Sequence, residues 1–348
     1  MTTATLKCLV WDLDNTVWDG TLMEADACRL RHGIKTVLHQ LDSRGILLSV
    51  ASANDEDAGL AMLRKKGLDQ LFVHPQIRWV NKVSSIQVIA HELDIGLDSI
   101  GFIDDDPFEL EQVRQLLPGV RIYPAADYRL LLHKPELTPE VVTTEASRRR
   151  RMYLQEARRV RAREASKTSH REFLASCNCR IGLRRARPDD LARILELTRR
   201  TTQINATGVV FTQEQLASFL SDPKHRVFVA ELRDRFVDYG KIGAAVCRCK
   251  RSRWELISFQ VSCRVSTRGI ASVFLSWLQL EAASSGASEL ACRYRQRERN
   301  QRMKLLYGFS GFRQVGGIGA DESVILVKQC DHSFSLPGWL RLDDQATR

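Results

Sequence analysis

Long apolar runs are missing from this sequence. No stretch of about 18 uninterrupted apolar residues occurs, so no membrane-spanning helix is predicted. Residues 1–7 do not combine a basic segment with an apolar run, so no signal peptide is predicted either. We therefore expect a cytoplasmic protein that has no membrane partner.

Cysteines are also too few, and too scattered, for a disulfide framework. The chain has nine of them in 348 residues, an odd number, so we expect reduced thiols. Two Cys-x-Cys pairs, Cys177 with Cys179 and Cys247 with Cys249, differ from the usual Cys-x2-Cys spacing of zinc sites. We interpret them as small, half-buried strand residues, with a metal site as the alternative.

The composition is that of an ordinary globular protein, with 44% apolar and 27% charged residues. A chain of 348 residues is too long for one typical core, so two domains are predicted. The formal net charge of +10 favours an acidic partner, such as a phosphorylated metabolite, an acidic carrier protein or nucleic acid. Charge alone does not choose among these.

Strand-like apolar runs alternate with helical patterns in the first part of the chain. Strands are predicted at residues 6–11, 46–51 and 100–103, and helices at 38–44, 57–66 and 84–93. This alternation predicts a parallel sheet wound with helices. A second α/β module begins near Arg180, with strands at 226–232, 242–247 and 254–261 and helices at 189–200 and 270–284.

A basic segment at residues 145–172 connects the two parts and is predicted to be helical. Its arginine run, Arg148 to Arg151, has two interpretations. It is either a solvated helical face with acidic neighbours, which we favour, or a contact surface for nucleic acid.

Asp12 and Asp14 come directly after the first predicted strand. Ligand sites of parallel α/β sheets lie where strands end, and side chains two residues apart on an extended chain point the same way. Both carboxylates therefore belong to one pocket. There Asp12 can attack phosphorus as a nucleophile, and Asp14 can protonate the leaving oxygen and later activate water.

A carboxylate that attacks a phosphate dianion needs cations and hydrogen-bond donors around it. Ser52 and the backbone beside it can donate to phosphate oxygens, and Lys82 can place an ammonium on the phosphoryl group. Asp104 and Asp105, after the third predicted strand, can hold a hard divalent cation, which we predict to be Mg²⁺. This ordered set predicts a phosphoryl-transfer site.

The set resembles the four motifs of the haloacid dehalogenase (HAD) superfamily. The segment from Cys8 to Pro124 is similar to the FkbH-like subgroup of subfamily IIIC, through residues 11–22 (WDLDNTVWDGTL), 51–55 (ASAND), 77–79 (IRW) and 104–109 (DDDPFE). The resemblance implies a Rossmannoid parallel sheet, with Asp12 as nucleophile and Asp14 as general acid and base. It also implies phosphate binding by Ser52, Ala53, Asn54 and Lys82, and an Mg²⁺ site formed by Asp12, Asp14 (through its carbonyl), Asp104 and Asp105.

Two features of this chain bear on that resemblance. Many relatives carry Lys or Arg where this chain has Ala53, a difference that weakens phosphate binding. Only about 30 residues separate Gly20 from Ala51, too few for a cap domain. We therefore expect an open site that accepts a phosphate presented on a larger partner, or that needs the second domain as its lid.

In the second module, a predicted strand runs into the turn 262–269 (SCRVSTRG), which leads to a helix. A Gly-containing turn before a helix is a natural anion-binding site. Arg264 and Arg268 add positive charge to it, and Cys263 lies at its edge. A thiol in such a place is expected to have a lowered pKa and to be nucleophilic. The alternative is that Cys263 is a small structural residue.

This turn, together with residues 294–300 and 307–312, is similar to acyltransferases of the GNAT superfamily, whose turn holds a pyrophosphate or phosphopantetheine. Residues 200–208 (RTTQINATG), 234–240 (DRFVDYG) and 262–265 (SCRV) resemble the second domain of FkbH-like proteins. The resemblance implies a HAD-like domain without a large cap at 1–130, a linker with the basic helix at 131–178, a GNAT-like α/β domain at 179–332 and a tail at 333–348.

The FkbH-like resemblance implies a bifunctional enzyme. Such proteins take 1,3-bisphosphoglycerate, remove both phosphates and deliver a glyceryl unit to the phosphopantetheine thiol of an acyl carrier protein, for polyketide extender-unit biosynthesis. Cys263 would then carry the acyl group. Asn205 and Asn300 would bind glycerate hydroxyls or, as we favour, form a polar turn or helix cap.

Two alternatives to this function stay open. The first is a HAD phosphatase fused to a CoA-dependent N-acetyltransferase. The second is a nucleic-acid-binding protein with vestigial catalytic sites, which we rank last because every expected phosphoryl-transfer group is present. Nucleic acid is therefore not expected as a partner.

Overall fold

The computed structural model describes residues 5–24, 28–319 and 322–343 of the chain. The chain divides into two compact units, Met1–Leu154 and Gln155–Arg348. Among the helices in the described ranges, none has both the length and the apolar character that crossing a membrane requires.

The first unit is built around a parallel five-stranded sheet. Its strands are β1 (Cys8–Trp11), β4 (Leu47–Ser52), β5 (Gln76–Ile77), β6 (Ile100–Asp104) and β7 (Arg121–Pro124), while β2 (Trp18–Asp19) and β3 (Arg29–Leu30) form a separate antiparallel ribbon. The sheet order is β5-β4-β1-β6-β7. The strand order therefore reverses at β1, and open α/β sheets bind ligands at this kind of switch point.

Four helices cover the two faces of this sheet: α1 (Ile34–Ser43), α2 (Glu56–Lys66), α3 (Lys82–Glu92) and α4 (Pro107–Leu116). Side chains of β1 alternate between the faces because successive strand residues point to opposite sides. Leu9 and Trp11 join the core formed with α1 and α2, and Cys8 and Val10 join the core formed with α3 and α4. The sheet is thus buried on both faces, as a parallel sheet requires.

The region between the first two motifs is short, as the spacing predicted. In the described residues between β1 and β4, the chain forms only the β2–β3 ribbon, a 3-10 helix at Leu22–Glu24 and α1. Between β4 and α3 it forms only α2 and β5. The fold therefore has no large cap domain.

The second unit contains a mixed eight-stranded sheet in the order β13-β14-β12-β11-β10-β9-β8-β15. Pairs β11–β12 and β15–β8 are parallel, and the other neighbours are antiparallel. The strands are β8 (Cys179–Arg185), β9 (His225–Arg233), β10 (Asp238–Cys249), β11 (Arg253–Val261), β12 (Glu289–Arg295), β13 (Arg313–Val315), β14 (Ser323–Gln329) and β15 (Leu340–Leu342).

Helices of the second unit connect these strands: α8 (Leu191–Arg200), α9 (Gln213–Ser221), α10 (Ile270–Ser284) and α11 (Gln301–Phe309). Helix α10 links the parallel pair β11 and β12, because parallel strands need a crossover connection. Phe259 of β11 and Phe274 of α10 pack with ring centroids 5.4 Å apart, which places α10 on one face of the sheet.

The connecting segment differs from its prediction. The single basic helix expected at residues 145–172 is three helices, α5 (Thr144–Ser147), α6 (Arg149–Ala165) and α7 (His170–Ser176). Ser169 begins α7 as the N-cap of a capping box with Glu172, a local signal for a new helix. The boundary between the two units falls within α6. Within the predicted tail at 333–348, β15 pairs with β8.

Two arginines of the basic run pack inside the first unit. Arg149 is buried and donates to the backbone carbonyl of Gly45, and Arg150 pairs with Asp42 at 3.0 Å. The other two arginines of the run are exposed. The prediction of a solvated face is therefore wrong for Arg149 and Arg150, and only half of the run remains available to nucleic acid.

Candidate active site

Two neighbouring strands place carboxylates at the switch point of the first sheet. Pairing of β1 with β6 continues one residue past Trp11, since the Asp12 N–H donates to the Ile103 carbonyl at 2.9 Å. Asp104 is the last residue of β6. Both carboxylates are buried, with exposed fractions of 5% for Asp12 and 2% for Asp104. The sheet thus brings together two of the acidic residues that the sequence analysis expected here.

Lys82, the first residue of α3, places an ammonium between these carboxylates. Its Nζ donates a hydrogen bond to Asp12, donates to the Ala51 carbonyl at 3.0 Å and lies 3.2 Å from Asp104 Oδ2. The side chain is buried. Lys82 therefore lies where the sequence analysis expected a phosphate-binding cation.

The cluster is short of positive charge. Burial raises the pKa of Asp12 to about 7, while the Lys82 ammonium opposes this rise and Asp104 adds to it. Burial also raises the pKa of Asp104, again opposed by Lys82. One ammonium does not compensate the desolvation of two carboxylates, so a further cation would stabilise both in their charged forms.

Three carboxylates are arranged to hold such a cation. Oxygens of Asp12, Asp104 and Asp105 lie within 4.8 Å of one another, and this is the one group of its kind in the described residues. Asp104 Oδ1 accepts from the Asp106 N–H at 2.9 Å, and buried Oδ2 faces the Lys82 ammonium at 3.2 Å. Hard oxygen ligands suit Mg²⁺. These residues therefore fit the divalent cation predicted from the sequence.

The Asp14 carboxylate is not part of that group and is held by three donors. The Trp18 indole N–H and the Leu22 N–H donate to Oδ1 at 2.9 and 3.0 Å. The Asn54 amide donates to Oδ2 at 3.2 Å. The sequence analysis gave Trp18 and Leu22 no role, although both belong to the first motif.

The predicted phosphate-binding motif begins where β4 ends. Ser52, the last residue of β4, is buried, and its Oγ accepts from the Asn54 amide at 3.0 Å. Ala53 between them is exposed. Asn54 therefore connects Ser52 with Asp14 and positions both side chains.

Glu109 interacts with this cluster, although the sequence analysis gave it no role. It lies in the first turn of α4, and its Oε2 is buried without a hydrogen-bond partner in the described residues. Burial raises its pKa, with the charge of Lys82 opposing the rise and that of Asp104 adding to it. Its place at the end of the 104–109 motif was the only signal in the sequence.

Cys263 lies in the turn between β11 and α10. The turn after β11 is a 3-10 helix at Cys263–Arg268, and Gly269, with φ +67°, separates it from α10. Cys263 is half-buried at the start of the 3-10 helix. Cys263 thus lies at the edge of the turn 262–269, and the whole 3-10 helix separates its thiol from α10.

Arg268 is bound inside the second unit. Its guanidinium pairs with Asp234 at 3.0 Å and with Glu156 at 2.6 Å, and it also donates to the Tyr239 hydroxyl. The side chain is only 2% exposed. This placement contradicts the predicted phosphate-binding role, because two carboxylates already neutralise the charge.

Arg264, the other predicted anion-binding arginine, follows Cys263 directly in the sequence. It is half-buried, and its Nε donates to Ser262 Oγ at 3.2 Å. Of the two arginines predicted to bind an anion here, Arg264 alone remains a candidate.

Asn205 and Asn300 use their carboxamides to fix backbone. Asn205 donates to the Thr201 carbonyl at 3.0 Å and accepts from the Gly208 N–H at 2.8 Å. Asn300 donates to the carbonyls of Asn205 and Arg295 at 3.0 and 2.9 Å. Both are buried. These contacts are those of polar turn residues, the interpretation that the sequence analysis favoured over binding of glycerate hydroxyls.

Neither Cys-x-Cys pair lies in a group of metal-ligating side chains within the described residues. Cys177, Cys179 and Cys247 are buried, and Cys249 is half-buried. Burial raises the pKa of the Cys179 thiol to about 11, which disfavours the thiolate that metals bind.

The first unit is a parallel α/β sheet domain, and the second unit is a mixed α/β sheet domain. No protein-family model matches the sequence, and no curated protein matches it.

Solved structures similar to this chain include one from Bacteroides fragilis, the N-terminal part of a protein described as containing a phosphatase domain complexed with Mg. It is 30% identical, with a TM-score of 0.33. The similarity covers 39% of this chain and 41% of that chain, so this chain spans less than half the length of the Bacteroides fragilis structure.

Other similar structures are acetyltransferases. The ribosomal-protein-S18-alanine N-acetyltransferase of Escherichia coli is 16% identical, covering 44% of this chain and 96% of that one, with a TM-score of 0.35. An acetyltransferase of the GNAT family from Streptococcus pneumoniae is 20% identical, covering 43% and 99%, with a TM-score of 0.33.

Proposed function

We propose that the chain is a bifunctional phosphatase and acyltransferase of the FkbH-like type. It converts 1,3-bisphosphoglycerate into a glyceryl thioester on the phosphopantetheine arm of an acyl carrier protein, for polyketide extender units such as methoxymalonyl groups. The observation that carries the proposal is the Lys82 ammonium between the buried carboxylates of Asp12 and Asp104, with Asp105 beside them. A nucleophilic carboxylate, a phosphate-binding ammonium and a cation site together suit a phosphomonoester.

In the phosphatase step, the Asp12 carboxylate attacks phosphorus and the ester P–O bond breaks. Asp14, positioned by its three hydrogen-bond donors, gives a proton to the leaving alkoxide. Asp14 then takes a proton from the water that attacks the aspartyl phosphate, which releases inorganic phosphate and restores Asp12. Lys82 neutralises phosphoryl oxygens throughout. Mg²⁺ held by Asp12, Asp104 and Asp105 would supply further positive charge to those oxygens.

In the acyl-transfer step, the Cys263 thiol loses its proton and its sulfur attacks the carbonyl carbon of the acyl phosphate. The C–O bond to the phosphate breaks, inorganic phosphate leaves, and a thioester forms on Cys263. The carrier thiol then attacks this thioester, so the glyceryl group moves to the carrier and Cys263 is released. The half-buried position of Cys263 beside Arg264 supports this role.

Exposed apolar side chains near the phosphatase site support a carrier protein as the partner. Met23, Trp79 and Phe108 are 87%, 69% and 70% exposed. Each lies within three residues of a site group, Leu22, Lys82 and Asp105 respectively, so a 3-10 helix, a loop and the first turn of α4 contribute. Apolar surface beside a phosphate site has no use for a small polar substrate, but it suits a protein surface that presents the phosphate.

The central experiment mixes the full-length protein with Mg²⁺, 1,3-bisphosphoglycerate and a holo-acyl carrier protein, and weighs the carrier by intact mass spectrometry. We expect a glyceryl adduct with wild-type protein and none with Cys263→Ala. Asp12→Asn should abolish phosphate release from a small phosphomonoester. Absence of a glyceryl adduct on every holo-carrier tested would refute the glyceryl-transfer function.

One alternative function for the second unit is that of a CoA-dependent N-acetyltransferase. The same protein is therefore incubated with acetyl-CoA and an amine-bearing peptide. Acetylation of the peptide without carrier loading would favour the rival. A Cys263→Ala variant that loads the carrier normally would remove only the covalent role of the thiol.

The exposed side chains allow a prediction about the partner. Trp79→Ser and Phe108→Ser should each lower kcat/KM for a carrier-bound phosphate about 10-fold, because apolar anchors dominate interface energies. Activity on a small aryl phosphate should change less than about twofold. Leu116→Ser, at the opposite end of α4 from Phe108 and 61% exposed, is the matched control. Equal losses on both substrates would argue against a docking role.

A further inference from the structure

Helix α11 of the second unit presents apolar side chains to solvent. Leu305 and Phe309 are 58% and 89% exposed, and Phe309 is the most exposed large apolar residue in the part of the chain that the structure describes. Residues four apart on a helix lie on the same face, so these two side chains form one patch. Val315 and Ile318, which follow α11 in the chain, are also exposed. Apolar side chains grouped at a surface are typical of an interaction site.

Basic side chains surround this patch. Residues 295–313 contain six Lys and Arg but only one Glu and no Asp. Arg302 lies three residues before Leu305 and shares its side of the helix, and Lys304 is exposed next to them. We call Arg302, Lys304, Leu305 and Phe309 the outer face of α11. An apolar centre with a basic rim is complementary to an acidic protein surface that also has an apolar centre.

The outer face of α11 begins close to the Cys263 thiol. Strands β11 and β12 are parallel, so Cys263 after β11 and α11 after β12 lie at the same end of the sheet. Arg302, in the first turn of α11, donates to Ser266 Oγ at 3.4 Å, and Ser266 belongs to the 3-10 helix that starts with Cys263. The nine residues of α11 span only about 14 Å. A protein bound along this helix would therefore be near Cys263.

We propose that the outer face of α11 is the surface on which the acyl carrier protein docks while its thiol takes the acyl group from Cys263. This inference rests on the proposed function, and it adds a docking surface on the second unit to the one proposed beside the phosphatase site. Leu305 and Phe309 hold the carrier through apolar contacts, and the basic rim speeds its encounter. The acyl phosphate is a small polar molecule, so acylation of Cys263 itself does not use this surface.

The test separates the two halves of acyl transfer. Full-length protein is incubated with 1,3-bisphosphoglycerate alone, and intact mass spectrometry follows the acyl adduct on the protein. An acidic holo-acyl carrier protein is then added over a range of concentrations, which yields kcat/KM for carrier loading. We expect Leu305→Ser and Phe309→Ser each to lower this kcat/KM about 10-fold, mainly by raising KM, and to change the rate of Cys263 acylation less than about twofold.

A charge reversal tests the basic rim. Lys304→Glu should lower kcat/KM for carrier loading about 10-fold at low ionic strength and by less at about 0.5 M salt, because salt screens exposed charges. Two controls match these variants. Leu342→Ser changes an exposed residue of β15, at the opposite edge of the sheet from β13. Lys250→Glu lies in the turn between β10 and β11, at the opposite end of β11 from Cys263. Both should load the carrier as wild type does, and circular dichroism confirms that each variant is folded.

A binding titration distinguishes failure of this inference from failure of the proposed function. Fluorescently labelled apo-carrier, which lacks the phosphopantetheine arm, is titrated with wild-type protein and with each variant. If wild-type protein loads no carrier, but Leu305→Ser and Phe309→Ser weaken carrier binding, the proposed reaction fails and the docking surface stands. If wild-type protein loads the carrier and both apolar variants load and bind it normally, the inference is overturned while the proposed function stands.

Two other results would also overturn the inference. Equal losses of Cys263 acylation and of carrier loading would show that Leu305 and Phe309 act only through the fold of the second unit. Binding of a single-stranded oligonucleotide that Lys304→Glu weakens, together with normal carrier loading by the apolar variants, would assign the basic rim to nucleic acid.

Discussion

At the residue scale, two buried cations have opposite roles. Arg268 is surrounded by Asp234 and Glu156, so its charge is neutralised within the second unit. Lys82 faces Asp12 and Asp104, whose raised pKa values show that burial is only partly compensated. A basic residue near a predicted turn or strand end is therefore weak evidence for anion binding until its carboxylate partners are known.

Removing the Lys82 ammonium should impair catalysis strongly. Lys82→Met should lower kcat for a small phosphomonoester about 10²- to 10³-fold, the usual cost of losing one group that stabilises transition-state charge. Steady-state phosphate release measures this. Lys65→Met, an exposed lysine of α2, is the control. Similar activity in both variants would contradict the role of Lys82.

The Arg268 network should make stability depend on pH. Burial raises the pKa of Glu156. Hydrogen bonds from Arg159 and Tyr239 and the charge of Arg268 lower this pKa by more, so it lies below its ordinary value. A carboxyl with a lowered folded-state pKa stabilises the fold above its unfolded pKa of about 4.3, and this contribution disappears as pH falls through the folded value.

Arg268→Met should therefore destabilise the protein by about 3–5 kcal/mol at neutral pH, because it leaves buried carboxylates unpaired. The difference from wild type should shrink as pH falls below about 4.3. Urea denaturation at neutral and acidic pH measures both effects. A difference that does not vary with pH would rule out the Glu156 contribution.

At the element scale, strand ends and helix starts place the site. Asp12 follows β1, Asp104 and Ser52 end β6 and β4, and Lys82 begins α3. Helix starts were predictable where a local signal marks them. Helix α10 spans Ile270–Ser284, the residues predicted, and α1 starts earlier than predicted, directly after Gly33 with its φ of +78°.

The cap of α3 should affect both stability and activity. Asn81 caps this helix by accepting from the Ser84 N–H at 2.8 Å, and Lys82 follows it. Asn81→Ala should cost about 1 kcal/mol of stability and lower phosphatase kcat, because the helix start that carries Lys82 becomes less ordered. Asn81→Asp keeps the acceptor and should preserve both.

A control separates the two effects of that substitution. Thr212→Ala removes the cap of α9 in the second unit and should cost similar stability without changing phosphatase kcat. Urea denaturation and phosphate release are measured on the same preparations. If Asn81→Ala loses stability but no activity, Lys82 is positioned independently of its helix cap.

At the scale of the whole molecule, each unit carries its own chemistry. The first holds carboxylates that fit a divalent cation, and the second holds a thiol at the end of a sheet strand. The net charge of +10 is consistent with the acidic carrier and phosphorylated substrate that we propose. The positive excess lies in the second unit, because residues 1–154 have 18 Lys and Arg against 22 Asp and Glu, whereas residues 155–348 have 34 against 20.

Metal binding should stabilise the chain by mass action. Adding Mg²⁺ at about 100 times its dissociation constant should raise the free energy of unfolding by about 2.7 kcal/mol relative to the protein in EDTA. Differential scanning calorimetry measures the shift. Asp105→Asn should reduce it, whereas Thr212→Ala should leave it unchanged. A melting temperature that does not respond to Mg²⁺ would contradict the predicted site.

The sequence by itself determined which residues share the candidate site, because Asp12, Ser52, Lys82 and Asp104 each lie beside a strand end or helix start that local patterns reveal. Only the tertiary structure decided the role of Arg268, which pairs with Glu156, 112 residues away in the sequence. Spacing along a chain predicts which residues share a strand end. It carries no information on which distant charges neutralise each other.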